Sequence, residues 1–493
     1  MGYMQKQTFR VFIVLLASAL LLPFSPITSA DIREPGQTWA EYWAGTPSLK
    51  EAWKDHFLIG NTYGPILAQG ERGGQHNVRH EMTIHNFNVL TPENHMKPAM
   101  LSTGTAGSDP VANGGNGTMR WNFNTANEMM EYAERNNMLI FGHVLVWHGQ
   151  TPAWINGGGG AMPDTASDGG VDESTYTRAR ARANMEYYIK TVVEHFDQWK
   201  LEDGSPRVFN WDVVNEALAD WVNWPRDAQP GEWRNHMRRP TQSGWIRAYS
   251  NGMAEGEHPS DFIYDAFVFA RKYTDVKLYY NDFNLYFDGK ASAVAQMVRE
   301  LNEQWATDKV NNPKAVDNAA DYTGRKLIEG IGMQSHNYMW DTPASAVERN
   351  IRRFIELGVE ISISELDLYV FAPADGAPQG TRGAFIDLRD RTAEQLVATS
   401  NNPAQRYFWR DRGITTGVEV EREQAIRYAE YFKVYQKYSD HIARVTFWGL
   451  RDNDNWRRNL NPLLWNSDFS PKESFWAVVD PCKYLGCCVE EEK

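Results

Sequence analysis

The chain has 493 residues, 42% of them hydrophobic, and a formal net charge of −13. Nucleic-acid binding needs a concentrated basic patch, and no Lys/Arg cluster of that kind interrupts the acidic background, so a nucleic-acid partner is excluded. The length fits one large barrel with insertions or two to three ordinary domains.

In chain order, Lys6 and Arg10 precede an apolar stretch from Val11 to Phe24, and Thr28, Ser29 and Ala30 follow as a small-residue cleavage site. This predicts a signal peptide over 1–30 and an exported protein, secreted or periplasmic, with Asp31 near the mature N-terminus. The apolar run is shorter than the roughly 20 residues a span requires, and no later stretch comes close, so the mature chain has no expected membrane span.

Short apolar, β-rich runs then alternate with helical patterns. Strands are predicted over 57–63, 87–94, 138–147, 208–216, 276–284, 330–336, 360–368 and 444–450, and helices over segments such as 125–137, 178–199, 260–273, 344–357 and 422–438. Repeated strand–helix alternation predicts an α/β fold with a parallel sheet, and eight units predict a closed (β/α)8 TIM barrel forming a single catalytic domain over 31–480. Gly/Asn-rich or Trp-containing insertions at 102–118, 156–173, 219–258 and 373–420 each follow a predicted strand and would crown one face. The tail over 481–493 holds all three cysteines, Cys482, Cys487 and Cys488. Export would permit one disulfide there, leaving an odd thiol. No His follows at zinc-ligand spacing, and neither a metal nor another cofactor is expected.

Several predicted strands end in polar or aromatic residues: Glu93 and Asn94, His143 and Trp147, Asn215 and Glu216, Asn281 and Asp282, Gln334 and His336, Glu365 and Asp367, and Trp448. In a barrel these ends converge where barrel enzymes keep their sites. In "WDVVNEAL", neighbouring strand residues point to opposite faces, so Asn215 and Glu216 share a cleft only if the strand stops there. Glu216 on strand four and Glu365 on strand seven supply the two carboxyl groups that glycoside hydrolysis needs. Either alone would read as a strand-end acid paired to Arg. Glu365 and Asp367 face the same side, and two adjacent acids push one pKa upward, so a donor must keep Glu365 ionised. Gln334 and His336 share that two-residue spacing, and either can reach it.

The stretches "LTPENHMKP", "GHVLVWHGQTPAWI", "WDVVNEAL", "LYYNDFNL", "GIGMQSH", "ISISELDL" and "VTFWGLRDNDNW" together resemble glycoside hydrolase family 10, the endo-β-1,4-xylanases, from about Leu58 to about Trp476. The resemblance implies that Glu216 is the general acid/base and Glu365 the nucleophile of a retaining mechanism. It implies that Asn215 binds the 2-hydroxyl of the reacting sugar, that His336 bonds the nucleophile, and that Asp367 orients His336. Glu93, Asn94 and Lys97 match the group contacting the glycone sugars, while His143, Trp147 and Gln334 match the shell of the reacting sugar. Trp448 and Trp456 match an aromatic pair whose bulk would exclude a substituent at C5, favouring xylose over glucose. The division of labour requires Glu216 protonated, with a raised pKa, before the reaction. Phe283 stands where the family often has Tyr, and the 219–258 and 373–420 insertions are longer than usual. One or two of Trp221, Trp224, Trp233 and Trp245 are expected to line the aglycone side.

The expected partner is xylan or xylo-oligosaccharide, bound by a monomer. Competing readings are a β-1,4-glucan or mixed-specificity glycosidase, a barrel that captures xylan without cleaving it, and a metal-dependent hydrolase using His143 and His148. The capture reading does not need the tuned pair of Glu, and the two His do not share a strand face.

Overall fold

The computed structural model describes residues 32–105, 107–109, 118–158, 176–370 and 416–487. The segment 1–30, much of the insertions at 102–118, 156–173 and 373–420, and Cys488 lie outside the described residues.

Eight parallel strands form a closed barrel. They are β1 (Leu58–Tyr63), β2 (Val89–Pro92), β3 (Leu139–Trp147), β4 (Val208–Asn215), β5 (Lys277–Asp282), β6 (Gly330–Met333), β7 (Glu360–Tyr369) and β8 (Ile442–Phe447). Each pairs with the next, and β8 pairs with both β7 and β1, with Leu58 opposite Arg444, which closes the ring. The principal helices are α1 (Asn77–Asn86), α2 (Asn124–Arg135), α3 (Arg178–Phe196), α4 (Asp261–Tyr273), α5 (Asp288–Thr307), α6 (Ala344–Ile355), α7 (Gly417–Lys437) and α8 (Glu473–Val479), one after each strand. No described helix is long and apolar enough to cross a membrane.

Local sequence accounts for these elements. A parallel strand covered on both faces reads as a continuous apolar run, and in β4 every residue except Phe209 is buried. In α6, Ala346, Val347, Asn350, Ile351 and Phe354 fall on one stripe and are the buried residues. Thr416 and Glu419 form a reciprocal capping box at the start of α7, satisfying backbone donors that the first turn leaves open. At Gly332 a Cβ would lie 2.1 Å from Asn281 Oδ1, so glycine on β6 makes room for a polar side chain of β5.

The barrel interior carries a charge. Arg444 of β8 is fully buried, with its guanidinium 3.5 Å over the Phe141 ring. Its Nη1 donates to Thr91 Oγ1 at 2.8 Å and to Thr446 Oγ1 at 2.6 Å. Burial pulls the guanidinium down to about 10, opposed by the negative charge of Asp212.

One expectation needs correction. The run over 330–336 is two pieces: β6 stops at Met333, Ser335 takes a left-handed backbone at φ 63, and His336–Tyr338 forms a separate short strand on the outer end of β7. The 219–258 insertion folds into a 3-10 turn over Glu232–His236 and a helix over Gly244–Ser250. In the tail, Cys482 and Cys487 are free cysteines with sulfurs 2.6 Å apart.

Candidate active site

Glu365 lies within β7, where all residues but Glu360 are buried. Its Oε2 is 3.2 Å from His336 Nε2, and its Oε1 accepts from Asn281 Nδ2 at 2.8 Å. The other His336 nitrogen, Nδ1, lies 2.8 Å from Asp367 Oδ1. Asp367 therefore meets Glu365 across an imidazole. Burial disfavours the imidazolium, but Asp367 and Glu365 outweigh it and raise the His336 pKa to about 9. Burial likewise raises the Glu365 pKa, and the His336 hydrogen bond with the charges of His143 and His336 reverses this, leaving it lowered. Trp456 Nε1 and Asn455 Nδ2 each donate to Asp367 Oδ2 at 3.2 Å, fixing the acid behind the histidine.

Glu216 follows the last residue of β4 and has φ 53, a left-handed conformation that ends the strand. That turn brings consecutive side chains together, and Asn215 Nδ2 donates to Glu216 Oε1 at 3.2 Å. Gln334 Nε2 donates to the same oxygen at 2.9 Å and Trp147 Nε1 to Oε2 at 3.1 Å. His148 Nε2 lies 4.0 Å and Arg238 Nη2 3.7 Å from Oε2, while Arg238 Nε donates to the Glu216 carbonyl at 2.6 Å. Burial raises the Glu216 pKa, but the charges of His148 and Arg238, with the bonds from Gln334 and Trp147, hold the carboxyl down at about 2. This contradicts the expected raised pKa, because the charges of His148, just past β3, and of Arg238, from the 219–258 segment, face the acid. His148 is itself pushed down to about 4, first by burial and then by Arg238, so above that range Arg238 is the lasting positive neighbour.

A row of amides joins the carboxylates. Asn215 Oδ1 accepts from Gln334 Nε2 at 3.1 Å and from Asn281 Nδ2 at 3.0 Å, while those two amides reach Glu216 and Glu365 respectively. Gln334 thus serves Glu216, whereas the two-residue spacing allowed it to reach Glu365. The left-handed Ser335 breaks that spacing and sends Gln334 and His336 to different acids.

Around this pair, Lys97 is buried with its ammonium 4.8 Å over the Trp147 ring, and it donates to Asn94 Oδ1 at 3.2 Å. Burial lowers its pKa, opposed by Glu365, Glu93 and Glu216. His143 Nδ1 lies 3.0 Å from Asp212 Oδ2, and its ring meets Trp448 edge-on at 5.7 Å. His143 and His148 thus serve different partners, Asp212 and Glu216. Trp448 and Trp456 both flank His336, with ring centroids at 6.5 and 5.2 Å.

Sequence reasoning left three contributors off the site. Asn281 was visible as a strand-end amide in "YYND", whereas His148 and Arg238 act from loops, where spacing carries no facing information. Of the four insertion tryptophans, Trp233 and Trp245 are buried, bonded through Nε1 to Glu300 Oε2 at 2.7 Å and to the Trp147 carbonyl at 3.0 Å. They are core residues. Trp224 is half-buried beside His236, and Trp221 is 66% exposed.

Comparison with known proteins agrees with this architecture. Endo-1,4-beta-xylanase A of Thermotoga maritima is 29% identical over 92% of this chain, which spans only 32% of that protein's length. Beta-1,4-xylanase of Dictyoglomus thermophilum is 28% identical over 88% of this chain and 90% of its own. The crystal structure of a bacterial Ig-like domain containing GH10 xylanase from termite gut superposes with a TM-score of 0.63 at 29% identity, covering 91% of this chain and 80% of that one. Residues 48–481 match Glycosyl hydrolase family 10, and the chain belongs to that family.

Proposed function

We infer that the protein is an exported, monomeric retaining endo-β-1,4-xylanase acting on internal bonds of xylan. The observation that carries this reading is the pair of carboxylates with unlike partners, buried Glu365 on a cationic His336 and partly buried Glu216 on neutral donors and Arg238. Glu365 attacks the anomeric carbon as the bond to the leaving oxygen breaks and Glu216 protonates that oxygen. A water then gives its proton to Glu216, attacks the same carbon, and releases Glu365 as a carboxylate. Asn215, whose amide oxygen accepts from Gln334 and Asn281, bonds the 2-hydroxyl of the reacting sugar in this reading.

Burial raises the Glu216 pKa while the charges of His148 and Arg238 lower it, so the balance shifts with whatever fills the cleft. Sugar filling the cleft excludes water and strengthens the burial that already favours the neutral acid. Esterification of Glu365 then removes a neighbouring negative charge, returning Glu216 to the carboxylate that the second step uses as base. Xylose preference comes from Trp448 and Trp456. The similarity to proteins named as xylanases supports the choice of substrate.

Reducing-sugar release from the purified protein on glucuronoxylan, arabinoxylan and carboxymethylcellulose tests the reading, with Glu365→Ala as control. Activity on the xylans that disappears in the variant, with little on cellulose, is expected. Xylan binding without cleavage by the unsubstituted protein would overturn it in favour of a capture role.

A further inference from the structure

Behind the groups that touch the acid/base, β5 carries a set of polar side chains that no step above uses. Asn281 faces the carboxylates, so its strand neighbours Tyr280 and Asp282 point to the other side, toward α5. Both are buried, as is Lys290 of α5. Lys290 Nζ donates to Asp282 Oδ1 at 2.7 Å, and the Phe283 backbone N–H donates to the same oxygen at 2.9 Å. The Tyr280 hydroxyl donates to Oδ2 at 2.7 Å. That hydroxyl also accepts from the backbone N–H of Ala217 at 3.1 Å and from that of Leu218 at 3.4 Å.

Each bond in this set has only one possible direction. A backbone N–H can only donate, so the Tyr280 oxygen accepts twice and its single hydrogen goes to Asp282. All three partners of Asp282 are donors, which suits a carboxylate, and Lys290 supplies the opposite charge. Burying such a pair strips water from both charges, so stability alone is a weak reason for it. Its place beside the acid/base supplies another.

Val214 and Asn215 pair with Tyr280 and Asn281, and the Glu216 amide makes the last ladder bond, to the Asn281 carbonyl at 2.9 Å. The left-handed Glu216 then turns the chain out of the sheet, and the next two amides find the Tyr280 hydroxyl instead of a strand carbonyl. On the far side of that turn the Ala217 carbonyl accepts from the Arg238 amide at 3.2 Å, and the Glu216 carbonyl accepts from Arg238 Nε at 2.6 Å. One hydroxyl thus pins the turn that aims Glu216 and the backbone on which Arg238 is seated. We propose that Tyr280, oriented by Asp282 and Lys290, is a positioning residue for proton transfer, its hydroxyl holding the turn after β4 so that the Glu216 carboxyl meets the departing oxygen. This deepens the xylanase reading and rests on it.

The test compares kcat/KM on phenyl β-xylobioside, whose leaving oxygen needs the proton, with that on dinitrophenyl β-xylobioside, whose leaving group departs without it. Tyr280→Phe keeps the ring and removes only the hydroxyl. It should cost the phenyl substrate about tenfold and the dinitrophenyl substrate less than about twofold, because a small misplacement of the acid is felt only where its proton is used. Equal losses on both, which a merely structural role would give, or no loss on either, would overturn the proposal. Asp282→Asn gives a second reading. Lys290 and the Phe283 N–H hold its oxygen, so its amide faces Tyr280 as a donor and turns the hydroxyl hydrogen toward Ala217 and Leu218. The same selective loss is expected, and a folded variant without it overturns the proposal. Hydrogen exchange in the unsubstituted protein reads the turn directly: an Ala217 amide protected like those of β4 supports the pin, and exchange at the rate of an open loop overturns it. Failure of the xylanase reading would instead appear as an unsubstituted protein that cleaves neither glycoside.

Discussion

The two carboxylates are held by unlike parts of the molecule. Glu365 sits inside β7, and it is held by His336 beside that strand, with Asp367 of the same strand behind the histidine, and by Asn281 of β5, so its ionisation is fixed by the barrel itself. Glu216 lies one residue beyond its strand, and the group that most lastingly opposes its protonation, Arg238, comes from an insertion. The carboxylate held ionised by His336 is built into the sheet. The carboxyl one residue beyond its strand is governed by a cation from a loop.

Substitutions can break this contrast. The largest effect is expected from Glu216→Ala, which should lower kcat on xylan by about 10²–10⁴-fold and far less on an aryl xylobioside whose leaving group needs no proton. Equal losses on both substrates would remove Glu216 from the acid role. His336→Asn should act on stability as well as rate. A histidine whose pKa rises from about 6.5 unfolded to about 9 folded contributes on the order of 3 kcal/mol below the unfolded value, lost as pH rises through about 9. Thermal unfolding of the parent should therefore weaken across that window, and the slope should vanish in the variant. A retained slope would show that another group carries it.

Arg238→Gln should give the smallest change and the most diagnostic one. Removing the cation lets the Glu216 pKa rise, so the protonated acid persists to higher pH and the alkaline limb of kcat/KM moves upward. A melting curve guards against lost folding, and an unmoved limb would end the argument that the insertion tunes the acid.

The barrel was legible in the sequence because parallel strands buried on both faces leave long apolar runs, and each run ended in a residue out of place in a core. Glu216, Glu365, Asn215 and His336 were found that way. Periodicity is blind to a single left-handed residue: Ser335 redirected Gln334. It is also blind to what a loop brings back, which is why Arg238 and His148 went unnoticed as neighbours of Glu216 and its low pKa came as a reversal. Which one or two of the four insertion tryptophans reach the rim was not legible because the insertion lacked an evident core, whereas the structure gives it one, with Trp245 beneath Trp147 and Trp233 against α5.

Ring closure has a consequence in time. Trp53 Nε1 donates to the Val478 carbonyl across 425 residues of chain, and β1 finds its second neighbour only when β8 exists. Until then the first strand made keeps one row of backbone donors and acceptors open, the kind of edge that recruits other chains. Such long-range pairing folds slowly, since the loop must close before any contact rewards it. Synthesis thus produces a barrel that cannot finish folding until β8 has been made, and β8 is what removes the template for aggregation.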